Sequence, residues 1–91
     1  MKYALLLSAL ALPACESARD CLENVPPDLR ADTVRYVLDK SLLARSYFTQ
    51  DEVALGLGAG TPPERLAPER EALVVPRAIG LTECVRDRTR P

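Results

Sequence analysis

Apolar residues recur along most of this chain at helical spacing, and proline or glycine stands where the pattern breaks. Tyr3 to Leu12 is apolar apart from Ser8, and Glu16 to Asn24 is polar with Leu22 its only large apolar side chain. Val25-Pro26-Pro27-Asp28 then marks a helix start: proline suits the first turn, and Asp28 and Asp32 favour the positive end of the helix dipole. Leu29, Val34, Val37, Leu38 and Leu42 follow at mixed helical spacings, with Arg30, Arg35, Asp39, Lys40 and Arg45 mostly elsewhere. The pattern predicts an amphipathic helix over 27–47, the longest in the chain.

Phe48-Thr49-Gln50-Asp51-Glu52-Val53 is the sharpest local signal. Thr49 at N-cap and Glu52 at N3 match a capping box, and Phe48 and Val53 stand where a hydrophobic staple needs them. A short helix over 50–55 should stop at Gly56, which can take the left-handed conformation after a helix. The Gly56–Gly60 stretch reads as a flexible loop between halves. It lacks the G-x-G-x-x-G spacing, and no GK[ST] comes after it, so it is no phosphate loop. Thr61-Pro62-Pro63-Glu64 repeats the capping-box pattern, with Thr61 as cap and Glu64 as its partner. Pro68 splits the next stretch into a turn over 62–66 and a short helix over 68–74, because its ring clashes with the carbonyl four residues back. Pro76 ends the β-prone Leu73-Val74-Val75. Ile79, Leu81 and Val85 supply the last core contacts, Thr82 is placed to cap a final helix holding Cys84, and Arg86, Arg88 and Arg90 make a basic tail.

The leader changes the picture most. Lys2, the apolar run and a small residue before a cut are the layout of a secretory signal peptide. Tyr3 to Ala14 is twelve residues, short of the 20 or so a membrane-spanning helix needs. Leu12-Pro13-Ala14-Cys15 resembles the lipobox of bacterial lipoproteins. That resemblance implies cleavage before Cys15, a diacylglyceryl thioether on its sulfur, and acylation of the new amino terminus. The partner it implies is a membrane, reached through those acyl chains. Glu16 is not the Asp that usually retains such proteins at the inner membrane, so the pattern favours the periplasmic face of the outer membrane. In a Gram-positive cell it implies the outer face of the plasma membrane. Ala9-Leu10-Ala11 is itself an A-x-A cleavage site and keeps plain secretion open. The expected organisation is a signal peptide over 1–14, the lipidated Cys15 and a tether over 15–24, and a small helical domain over 25–91.

Removing residues 1–14 from the 91 leaves 77, one small domain at most, with 11 basic and 13 acidic residues and a formal charge of −2. That balance offers no reason to expect nucleic acid or an anionic membrane surface as partner. A chain of this size is marginal without help. If Cys15 carries lipid, Cys21 and Cys84 are the thiols left, and an exported chain meets an oxidising compartment, so the two are expected to form a disulfide. With no His, no C-x-x-C and no third soft ligand, neither a zinc site nor any other metal or cofactor is expected.

Catalysis finds little footing. The commonest general base is absent, and none of the mature serines sits in a G-x-S-x-G setting. Asp51 and Glu52 are adjacent on a helix and do not face each other. The reading is a mainly α, small single domain of one long and several short helices closed by one disulfide, with a non-catalytic role: tethering, scaffolding or binding an envelope protein. Tyr36, Leu43 and Tyr47, off the Val34–Leu38–Leu42 line of the long helix, form a candidate partner face, and completing a wide core face is their other reading. Two further functions stay open. One is a lysis lipoprotein similar to the outer-membrane half of phage spanins. The other is a periplasmic enzyme inhibitor, for which 56–61 is the one candidate loop.

Overall fold

A computed structural model describes residues 13–90. Residues 1–12, which hold most of the expected signal peptide, lie outside the described residues, as does Pro91. Among the described residues, four α-helices carry the fold: α1 (Pro13–Leu22), α2 (Pro27–Asp39), α3 (Gln50–Ala59) and α4 (Pro68–Arg88). Single 3-10 turns at Arg45–Tyr47 and Pro63–Arg65 join them, and no strand occurs among the described residues. The architecture is mainly α and closed by the Cys21–Cys84 bridge, with Cα atoms 5.9 Å apart.

Residues 15–24 are helix rather than tether for most of their length. Ala18, Cys21 and Leu22 fall at i, i+3 and i+4, and all three are buried. Counting large aliphatic side chains misses this stripe, because its other members are an alanine and a cysteine, which bury as small apolar groups. Arg30 holds the end of α1 against the start of α2: its Nε donates to Leu22 O at 3.0 Å and Val25 O at 2.8 Å.

The helix that begins at Pro27 stops at Asp39, not 47. Ser41 takes a left-handed backbone, φ 54°. Its N–H donates to Leu38 O, and the Leu42 N–H reaches back to Val37 O at 3.0 Å. These are the two bonds of a Schellman stop. A serine in the position usually held by glycine hides the stop from a sequence reading.

The longest described helix is α4, 21 residues with Pro76 inside it. Proline in a helix interior removes a hydrogen bond and costs about 3 kcal/mol. Val74, Ala78, Leu81, Thr82 and Val85 are buried along one face of α4, and that burial offsets the cost. Pro76 lies on the opposite, exposed face. Thr82 caps nothing; its Oγ1 donates to Ala78 O one turn back, at 2.8 Å.

The glycines of 56–60 are not a flexible loop. Gly56 lies within α3, and a Cβ there would come 2.7 Å from Val34 Cγ1. At Gly60, where α3 ends, a Cβ would meet the Ala31 carbonyl and stand 2.6 Å from Arg35 Cβ. These two glycines let α3 pack closely against α2. Ion pairs and hydrogen bonds set the topology. Asp28 and Asp32 of α2 meet Arg70 at the start of α4, and Arg86 near its end bonds Leu42 O, so α2 and α4 run parallel. Asp20 meets Arg88 and Cys21 meets Cys84, so α1 runs antiparallel to α4. The core lies between α2 and its neighbours α3 and α4, with Val34, Val37, Val74 and Val85 fully buried.

Candidate functional site

Thr49 and Glu52 form a reciprocal capping box: Thr49 Oγ1 accepts from Glu52 N at 3.1 Å, and Thr49 N donates to Glu52 Oε1 at 2.8 Å. The box fixes where α3 begins and therefore where the loop before it ends. Thr49→Ala is expected to cost about 1 kcal/mol by urea denaturation, because the Glu52 amide loses its acceptor, while Thr49→Ser should be nearly silent. Equal losses for both variants would mean that the hydroxyl does not hold the helix start.

The second box is not formed. Glu64 lies inside the Pro63–Arg65 turn, which has no side-chain cap, and the Thr61 N–H donates to Asp32 Oδ1 at 2.6 Å instead. Asp32 is buried, and Arg70 Nε donates to its other oxygen. Arg70 Nη2 also donates to Asp28 O at 2.7 Å. Burial by itself pushes the Asp32 carboxyl up, but the Arg70 guanidinium and the Thr61 amide more than reverse that and hold it below the ordinary carboxylate value. The same pairing raises Arg70. The sequence reading passed over this cluster. The signal was there: Asp32 stands three residues after Leu29, an acid on the apolar side of its helix. Its place in the core ties α2, the turn at 61 and α4 together.

The three residues of the expected partner face do not share a helix, since α2 ends at Asp39. Leu43 is buried in the core, and Tyr36 and Tyr47 are half-buried and packed against it. They belong to the domain's own packing. The open surface lies nearby. A groove of about 510 Å³ runs between the 45–48 turn and α3, lined by Arg45, Ser46, Phe48, Gln50, Val53, Ala54 and Leu57. A second, of about 460 Å³, adjoins it and shares Arg45 and Leu57. Leu55 and Leu57 are both exposed. Near the bridge, a smaller crevice is lined by Cys21, Val25, Pro76, Arg77, Gly80 and Cys84.

No protein family, curated protein or solved structure matches this chain. Its own residues therefore carry the argument. Among the described residues, no group of three or more Cys, Asp or Glu side chains gathers as a metal site would require. No described helix is long and apolar enough to cross a membrane. Cys15 lies in the first turn of α1, two turns before Cys21, and with Cys21 engaged by Cys84 it is the remaining cysteine of the chain.

Proposed function

We propose that this chain is an exported bacterial lipoprotein, acylated on Cys15, whose domain acts by contact rather than by catalysis. The observation that carries the reading is Leu12-Pro13-Ala14-Cys15 at the end of an apolar run too short to span a bilayer. The bridge supports it in two ways. A disulfide suits an oxidising compartment outside the cytoplasm. It also engages the other two cysteines and leaves Cys15 as the odd one. A small domain held at the envelope, without a histidine for acid–base work, is best read as a tether, scaffold or docking unit for another envelope protein. The inhibitor alternative loses its loop, since residues through Ala59 are helical.

Cells fed an alkyne-bearing fatty acid are expected to label the wild type and not Cys15→Ser, and mass spectrometry should find a mature chain that starts at Cys15. A chain that starts at Leu12, or a Cys15 without lipid, would overturn the assignment. The first result would favour the secreted form cut after Ala9-Leu10-Ala11. A gene for an endolysin beside this one would favour the lysis role, and genes for an envelope assembly would favour the scaffold.

A further inference from the structure

Asp20 pairs with Arg88 at 3.3 Å and Cys21 is bonded to Cys84, so α1, traced backwards from Asp20, leads past the end of α4. Arg86 Nη2 donates to Leu42 O at 3.2 Å, which brings the loop after α2 to that same end. The Arg45–Tyr47 turn packs against α1. The start of α1, the 40–48 segment and the last turn of α4 therefore share one pole of the domain. The turn at Pro63–Arg65, Ala67 and Arg70 lie at the other.

Cys15 is close to the body of the domain. Ala18, three residues on, is fully buried. Along a helix those three steps rise about 4.5 Å. A lipid on Cys15 thus leaves no flexible linker to lift the domain from a bilayer. The groove between the 45–48 turn and α3 borders the pole beside Cys15 through its 45–48 side, with Phe48 and Val53 buried at its base and Leu57 44% exposed on its wall. Three of its acids are engaged in ion pairs: Asp20 with Arg88, Asp39 with Arg35, and Asp87 with Arg90. Arg45 and Arg86 are exposed and make no ion pair among the described residues.

We infer that the domain rests on a phospholipid surface by this pole, with the groove of Phe48, Val53 and Leu57 turned toward the acyl boundary and Arg45 and Arg86 at lipid phosphates. The inference rests on the acylation of Cys15 and adds to it an orientation. Arginines suit the site because their stems lie along apolar surface while their heads bond phosphate. The charge of the pole is mixed, with Glu83 and Asp51 on its helices, so apolar contact dominates and salt has a small effect. The opposite pole, with the Asp32–Arg70 pair, faces away from the membrane and is the surface left for a protein partner.

The chain has no tryptophan, so one can be introduced as a reporter. Ser46→Trp places it on the pole, Ala67→Trp at the far end, and both positions are exposed. Each variant is purified from membranes and reconstituted in phosphatidylethanolamine–phosphatidylglycerol vesicles whose acyl chains carry bromine. Fluorescence of Ser46→Trp is expected to fall roughly twofold and shift to the blue, as for a residue at the depth of an interfacial helix, with Ala67→Trp unchanged. Gln50→Trp, exposed on the same groove, is a second reporter should Ser46→Trp disturb the fold. Equal quenching at both poles, or quenching at Ala67→Trp alone, overturns the orientation. Mass spectrometry of the same samples reads the acylation separately. Acylated Cys15 with equal quenching defeats the orientation and leaves the anchor standing. If Cys15 is bare, the anchor reading fails, and the same variants mixed with vesicles as soluble protein decide the pole, absence of quenching at Ser46→Trp overturning it.

Discussion

Cys84→Ser is expected to lower the free energy of unfolding by about 4 kcal/mol, because the bridge closes a long loop in the unfolded chain. The two cysteines stand 63 residues apart, so reduction frees most of the folded domain's length at once. The bridge also holds α1 on α4. Ala18, Cys21 and Leu22 are buried there, and the bridge fixes that stripe covalently against α4. Cys84 is the better of the two to change. It is half-buried beside an open crevice, where a serine hydroxyl can reach water, whereas Cys21 is buried and a serine there would lose a water contact as well. Urea denaturation without reductant reads the difference, and reductant added to the wild type should reproduce it. A domain this small has a total stability of only several kcal/mol, so the variant should be partly unfolded at 37 °C. A loss below about 1 kcal/mol would mean that α1 is held by something other than the bridge.

Asp32→Ala is expected to cost about 2 kcal/mol, the range for hydrogen bonds to a charged group whose partners are left unmade. The part-buried Thr61 amide contact is the larger part. Arg70 is 41% exposed in its side chain, so water can take over its lost bond and its share is small. The same carboxylate gives stability a pH dependence whose sign is set by its environment. The folded form binds its proton less readily than the unfolded chain, since its pKa lies below the ordinary 3.8. Its contribution is therefore complete above the unfolded value and is lost as pH falls through the folded one. Measured by urea at pH 7 and again at pH 3, the gap between wild type and Asp32→Asn should narrow in acid. An unchanged gap would show that the Asp32 charge does not stabilise the native state.

The largest departures from the sequence reading have one origin. A proline at 76 ends a helix in an isolated peptide, where nothing repays the missing hydrogen bond. Here it lies on the outer side of α4, while Val74, Ala78, Leu81 and Val85 are buried on the inner side. Gly56 and Gly60 raise chain entropy wherever they occur, which is why the stretch reads as a loop from sequence. Val34 and Arg35 on α2 turn the same glycines into a close contact. Thr61 carries the residues of a capping box, yet an acid 29 positions earlier competes for its N–H and takes it. Ser41 adopts a left-handed backbone that serine tolerates poorly, which lets the chain turn back after Asp39 and bury Leu43 and Phe48.

Where the partners of a group lie within four residues and no distant group competes for them, the sequence was sufficient. The box of Thr49 and Glu52, the prolines that open α2 and α4, and the mainly helical character are set by local geometry and hydrogen bonds. The pairing of Cys21 with Cys84 was legible for a different reason, the scarcity of other thiols. Tertiary structure alone decided the length of α4, the end of α2, the use of the glycines and the burial of Asp32. Each weighs a local cost of a few kcal/mol against burial or charge pairing supplied by residues tens of positions away, and only the folded chain brings those residues together.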